Sequence, residues 1–155
     1  MSVKVIDVKQ GVFKWERVLG SYYELLEDAE VMIRIRDDLK REYWLKVFFV
    51  KGYACDGLSV PKIFRWFLKN WDKENPLYNI AGAVHDALYG NKGFAFYSRS
   101  ECDDIFRGML REAGKDRKHA SIADLAVGIF AGSHWGDDSL DSADLVKISR
   151  SFLYD

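Results

Sequence analysis

The residues best suited to do chemistry are His85 and Asp86, which are adjacent in one predicted helix, and Asp103 in the next predicted helix. Histidine titrates near neutral pH, so its free ring nitrogen can take a proton from water, while a carboxylate on the other nitrogen fixes the tautomer. His85 and Asp103 are therefore a candidate general-base pair, and Asp86 is left to hold a hard cation or the substrate. The alternative is structural, because a partly buried histidine bonded to an aspartate can simply hold two helices in register.

Two amphipathic helices must position these residues. Over 77–88, apolar residues recur on one helical face, and His85 lies at the edge of that stripe. Over 99–111, a second apolar stripe has Asp103 at its edge, while Asp104 is predicted to face solvent. If the two stripes pack together, His85 and Asp103 meet across the interface.

A second candidate site is the loop over 52–61, which leaves a predicted strand and enters a predicted helix. Asp56-Gly57 is a turn-forming pair, and the free amides at the start of a helix make this loop a candidate anion site or carbonyl cage. The alternative is a structural turn in which Ser59 caps the helix.

The sequence predicts a single α+β domain over 1–155, with an N-terminal antiparallel β-meander followed by three to four α-helices. Residues 1 to about 55 are mostly strands, and in the alternating run 31–36 Arg34 and Arg36 share one face. The part from 56 to 155 is mostly helical. The predicted helices begin at Pro61, run over about 77–88, run from a Ser98–Glu101 capping box to near Gly114, and cover about 118–131, before a short helix-like end.

Composition limits the function classes. The formal net charge of -1 gives no overall attraction to nucleic acid or anionic lipid, although it leaves room for a local basic patch. No run approaches the roughly 18 apolar residues that a membrane span needs. Cys55 and Cys102 lack metal-ligand spacing, so we expect two reduced, buried thiols in a cytosolic protein.

Three blocks of the sequence resemble a phage- and prophage-encoded family of small proteins of unknown function. They read YACDGLSVP at 53–61, HDALY at 85–89 and SRSECDDIF at 98–106. The family's pattern is an aromatic residue with T-D-x-x-S-V-P, then H-D-x-L-Y, then S-R-x-x-A-D-x-x-F. The resemblance covers roughly residues 45 to 136 and implies a protein of the host cytoplasm or the virion. Among the block residues, Ser59, Tyr89 and Arg99 are expected to support the site.

The two helical blocks are also similar to the secretory and parvovirus-type phospholipase A-two fold. This resemblance implies a role for each of four residues, with His85 the general base, Asp103 the carboxylate behind it, Tyr89 a packing partner and Asp86 a calcium ligand. Asp56-Gly57 falls where those enzymes place their calcium loop, with Gly57 alone in place of two closely spaced glycines.

Two function classes follow. The first is a hydrolase of the phospholipase type, with Ca²⁺ as its implied cofactor. The second is a non-enzymatic phage protein that binds a host or virion component, either to counter host defence or to assist assembly. A His85 that opens into a cleft with Asp86 and Asp56 favours the enzyme, whereas a His85 sealed beneath Trp or Phe favours the binding protein.

Overall fold

The structure, a computed structural model, describes residues 2–19, 22–55, 73–114 and 144–153. These residues form seven strands and two α-helices. The strands are β1 (Val3–Gln10), β2 (Trp15–Leu19), β3 (Tyr22–Leu25), β4 (Ala29–Asp37), β5 (Glu42–Phe49), β6 (Ala54–Cys55) and β7 (Val146–Phe152), and the helices are α1 (Pro76–Gly90) and α2 (Arg99–Ala113).

The strands form two antiparallel sheets. The larger sheet has the order β1-β4-β5-β7, and the smaller has the order β2-β3-β6. β4 and β5 form a hairpin in register from Ala29 opposite Phe49 to Arg36 opposite Glu42. β1 pairs with the free side of β4, and β7, from the far end of the chain, pairs with β5.

The central hairpin buries every second residue. On β4, Val31, Ile33 and Ile35 are buried, and Arg34 and Arg36 point to the opposite side. The predicted period of two over 31–36 is therefore confirmed. The buried residues of the hairpin join those of α1 and α2 in one core, so the sheet has an inner face towards the helices and an outer face away from them.

The two helices pack against each other and begin with side-chain caps. The Asn75 side chain accepts a hydrogen bond at the start of α1, and its Nδ2 donates to the Ala113 carbonyl at the end of α2, at 2.8 Å. Ser98 and Glu101 form the predicted capping box at the start of α2. Neither described helix has both the length and the apolar character that a membrane crossing requires.

The predicted fold class, α+β with an N-terminal antiparallel β-meander and then three to four helices, is wrong. The described part of the chain is mostly β, with two α-helices. The first strands do not form a meander, because β2 and β3 leave the main sheet to pair with β6. The helix-like end that the sequence predicted is strand β7. A run this short does not distinguish a helix from a strand, and the pairing with β5 that makes it a strand depends on residues far away in sequence. The predicted helices beginning at Pro61 and over 118–131 lie outside the described residues.

Candidate functional site

α1 directs His85 and Tyr89 towards α2. The two residues are four apart and therefore lie on one helical face, one turn from each other. Most of α1 is buried, whereas the His85 side chain keeps 18% of its surface exposed. The site is thus built at the margin of the core, where a polar side chain can still reach solvent.

Asp103 of α2 receives both side chains on the same oxygen. His85 Nε2 lies 3.3 Å from Asp103 Oδ1, and the Tyr89 hydroxyl donates a hydrogen bond to that Oδ1. The distance from His85 is within hydrogen-bond reach, as the phases of the two predicted helices require. A neutral imidazole in this arrangement donates through Nε2, because a carboxylate can only accept, and Nδ1 then carries the lone pair.

Two aromatic rings hold the imidazole plane. The His85 ring stacks on Phe106 with centroids 4.2 Å apart and an interplanar angle of 25°. It also lies against the Tyr89 ring, tilted by 39° at the same centroid distance of 4.2 Å. Packing and hydrogen bonding therefore act together to restrict the orientation of His85.

Tyr89 remains a hydrogen-bond donor at any ordinary pH. Burial raises the pKa of its hydroxyl, and the hydrogen bond to Asp103 and the charge of that carboxylate raise the pKa further. The positive charge of Arg99, in the first turn of α2, partly opposes these effects and lowers the pKa of Tyr89. Arg99 therefore belongs to the network around Asp103.

Cys102, next to Asp103 in sequence, is a buried thiol in surroundings that disfavour its thiolate form. Burial, followed by the negative charges of Asp103 and Glu101, raises the pKa of its thiol to about 12. Cys102 and Cys55 are both buried and form no disulfide. The expected burial of both thiols is confirmed, and their reduced state stays a prediction.

The connection between the helices is conformationally unusual. The four residues Lys92–Ala95 all have positive φ, between 50° and 69°. Left-handed backbone costs roughly 1–2 kcal/mol for each residue other than glycine, so surrounding contacts must stabilise the turn. The two residues that follow the turn are held to the sheet, because the Tyr97 hydroxyl is hydrogen-bonded to that of Tyr43 at 2.7 Å and Arg150 lies 4.1 Å from the Phe96 ring centroid.

The family is shown by comparison with known proteins. A family model described as "Protein of unknown function (DUF1353)" matches residues 23–127, which is more than half of the chain. The chain belongs to this family. The matched range contains α1 and α2 and so includes His85, Tyr89, Arg99 and Asp103. No curated protein and no solved structure matches the chain.

In this DUF1353 protein, four of the predicted site residues come together. They are His85, Tyr89, Arg99 and Asp103. Asp86 is partly buried on α1 beside His85. Within the described ranges, no group of three or more His, Cys, Asp or Glu residues is positioned to share a metal ion. Asp56, Gly57 and Ser59 lie outside the described residues, and with them the predicted calcium loop.

The prediction that Asp104 faces solvent is wrong. Its Oδ2 accepts a hydrogen bond from the Val3 amide at 3.2 Å, and its Oδ1 pairs with Arg107 at 3.2 Å. The reason is that α2 lies between α1 and β1, so the helical face next to the apolar stripe is covered by a strand. The apolar stripe of α2 predicts that the helix packs against one neighbouring element, and it does not predict the second neighbour, β1.

Sequence reasoning also missed two contacts of the site. Tyr89 was expected to be a packing partner, and its hydroxyl instead shares the Asp103 oxygen with His85. Phe106 is a buried residue of the apolar stripe of α2, and its ring also supports the imidazole. The signal for both is helical spacing, since Tyr89 lies four residues after His85 and Phe106 three residues after Asp103.

Proposed function

We propose that this protein is a hydrolase in which His85 is the general base. The observation that carries the proposal is the convergence of His85 Nε2 and the Tyr89 hydroxyl on one oxygen of Asp103. This arrangement gives the imidazole a fixed tautomer, a negative partner for its protonated form and a fixed ring plane. Those are the properties that general-base catalysis demands of a histidine.

The proposed reaction is the hydrolysis of a carboxylic ester, with a phospholipid as the substrate suggested by the resemblance of the two helical blocks. His85 Nδ1 takes a proton from water while the water oxygen bonds to the ester carbonyl carbon. The carbon–oxygen bond to the leaving alcohol then breaks, and the proton on Nδ1 passes to that alcohol. Asp103 balances the imidazolium charge between these steps, and Tyr89 and Arg99 hold Asp103 and its surroundings in place.

Asp86 is the residue that we propose for a calcium ion. Calcium takes about 6–8 oxygen ligands, so one carboxylate from α1 needs further oxygens from Asp56, from the Gly57 carbonyl or from water. When bound, the ion would polarise the ester carbonyl and stabilise the oxyanion.

The decisive experiment is a panel of soluble esters and phospholipid vesicles, assayed with added calcium or with a chelator. We expect His85→Gln to lower turnover by about 10²–10⁴-fold, because that is the usual contribution of a general base. Asp103→Asn should also lower turnover, whereas the matched control Asp104→Asn should keep it. Thermal unfolding of each variant separates lost chemistry from lost folding. Absence of turnover by the wild type on every substrate, or full activity of a folded His85→Gln, would contradict the proposal.

One observation favours the second candidate, a non-enzymatic protein that binds a host or virion component. His85 is stacked on Phe106 and is mostly buried, as is a histidine whose task is to hold helices together. In that case His85→Gln changes function only as far as it changes the melting temperature. Loss of activity in a variant with an unchanged melting temperature decides for the enzyme.

We further propose a phage origin and action in the infected cell's cytoplasm or in the virion. The support is the order of the three sequence blocks, all of which fall within the matched range 23–127. Mass spectrometry of purified virions distinguishes the two locations, since a virion component persists through particle purification and a cytoplasmic protein does not.

A further inference from the structure

The outer face of the larger sheet collects positive charge from four strands that are distant in sequence. Its cationic side chains are those of Lys4, Lys9, Arg34, Arg36, Lys46 and Lys147. The acidic side chains in the same described strands and on the same face are those of Asp7, Glu30 and Glu42. The described outer face therefore has a net charge of +3, whereas the whole chain has -1.

The internal ion pairs of this face leave its positive charge in excess. Arg34 and Arg36 share the single carboxylate of Glu42, at 3.0 Å and 3.2 Å. Lys46 lies 3.8 Å from Glu30, and both side chains are 45% exposed. Two guanidinium groups on one carboxylate retain one positive charge. The exposed Lys46–Glu30 pair is weak enough for an anion to replace.

Two aromatic side chains lie among these cations. Trp44 and Phe48 are both on β5 and are partly exposed. They point to the outer face because they alternate with the buried residues of that strand. Strand geometry places them on the order of 13 Å from each other, with Lys46 between them. The Lys9 ammonium lies 4.7 Å from the Trp44 ring centroid, so a cation already contacts the face of this ring.

We propose that the outer face binds single-stranded nucleic acid. Bases stack on Trp44 and Phe48, and phosphates contact the surrounding lysine and arginine side chains. The positive charge of the face favours a polyanion as its ligand. Two separate rings surrounded by charged side chains suit the stacking of successive bases, whereas a lipid membrane would need one continuous apolar patch. This inference is independent of the proposed hydrolase, since the outer face lies across the sheet from His85.

The test measures fluorescence anisotropy of labelled single-stranded DNA and RNA of about 20 nucleotides, which exceeds the usual site size of one small binding fold. A duplex of the same sequence and anionic vesicles are the competing ligands. We expect wild-type protein to prefer the single strands and to lose affinity as salt rises, because binding releases counterions.

Three aromatic variants and two charge-reversal variants locate the surface. Trp44→Leu and Phe48→Leu should each weaken single-strand binding roughly tenfold, whereas Phe96→Leu, which changes an exposed ring elsewhere, should not. Lys147→Glu should weaken binding and reduce the salt dependence. Lys51→Glu makes the same change in net charge at an exposed position off the face and should have little effect.

Each outcome of these measurements either supports or overturns binding of single-stranded nucleic acid. Lys147 is exposed on an edge strand, so its substitution tests the proposal even if a tryptophan variant is unstable. Absence of single-strand binding at low salt overturns the proposal. So does binding that is equally strong for the duplex or for vesicles, or binding that Lys51→Glu weakens as much as Lys147→Glu.

Discussion

The two sides of α2 use adjacent carboxylates in different ways. Towards α1, Asp103 accepts hydrogen bonds from the side chains of His85 and Tyr89. Towards β1, Asp104 accepts one from the backbone amide of Val3 and pairs with Arg107. One aspartate orients a titratable ring, and its neighbour fastens a strand to a helix.

This difference arises from the position of α2 between two partners. Consecutive helical residues are about 100° apart, so Asp103 and Asp104 reach different neighbours although they are chemically identical. Burial raises the pKa of Asp104, against the opposing effects of the Val3 amide and Arg107. The type of hydrogen-bond donor therefore differs between the two carboxylates. Asp103, in the candidate site, accepts from side chains, whereas Asp104, in a structural contact, accepts from the backbone.

The largest expected difference is between Asp103→Ala and Asp104→Ala. Asp103→Ala removes the acceptor of two donors in or near the core and should lower the free energy of unfolding by about 3 kcal/mol. Asp104→Ala leaves one amide without its acceptor and should cost about 1 kcal/mol. Urea unfolding of both variants measures the difference. Equal losses would show that the two sides of α2 are energetically alike.

The next largest effect concerns the contact between α2 and β1. An added Cβ at Gly108 would lie 2.6 Å from the Val5 Cβ, so Gly108→Ala must displace β1 or the helix. Overpacking of this kind lowers the free energy of unfolding by about 1–3 kcal/mol. The better helix propensity of alanine offsets up to about 1 kcal/mol of that loss.

Val5→Ala is the matched partner for that substitution. In the Gly108→Ala, Val5→Ala double variant the close contact with Val5 Cγ2 disappears and the one with Val5 Cβ, also at 2.6 Å, remains. The clash is therefore reduced, and the combined loss in unfolding free energy should be smaller than the sum of the single losses. Strictly additive losses would mean that α2 and β1 do not meet at this point.

A smaller effect is expected on the α1 side. Tyr89→Phe keeps the ring that packs against His85 and removes one hydrogen bond to Asp103. We expect a loss of about 1 kcal/mol in thermal or urea unfolding, because His85 still satisfies Asp103. Any hydrolytic activity should fall less than in His85→Gln. A loss as large as that of Asp103→Ala would mean that Tyr89 is the principal partner of the carboxylate.

The smallest effect is a pH dependence on the β1 side. A carboxyl whose pKa is higher in the folded than in the unfolded protein binds its proton more tightly when folded, so it gains stability as pH falls through the folded pKa. Asp104→Asn keeps an acceptor for Val3 and cannot titrate. The stability of wild type relative to Asp104→Asn should therefore increase from about pH 7 to about pH 4, measured by urea midpoints. A decrease would mean that Arg107 outweighs burial at Asp104.

Local sequence patterns were sufficient to predict the helices, the central strand and the part of the site that depends on them. The Ser98–Glu101 capping box and the two apolar stripes predicted α1 and α2 closely enough to bring His85 to Asp103. The alternation in 31–36 predicted which residues of β4 are buried. These features follow from contacts between residues a few positions apart, which helical and strand periods encode directly.

The pairing of the strands and the burial of the second side of α2 depend on contacts between residues that are distant in sequence. β7 pairs with β5 although about a hundred residues separate them in sequence. β1 pairs with β4, and the two intervening strands, β2 and β3, belong to the other sheet. The positive outer face and the anchoring of Asp104 to Val3 both result from these pairings. A strand's own pattern specifies a buried side and leaves its neighbour open, because the hydrogen-bonding edge of every strand is the same backbone.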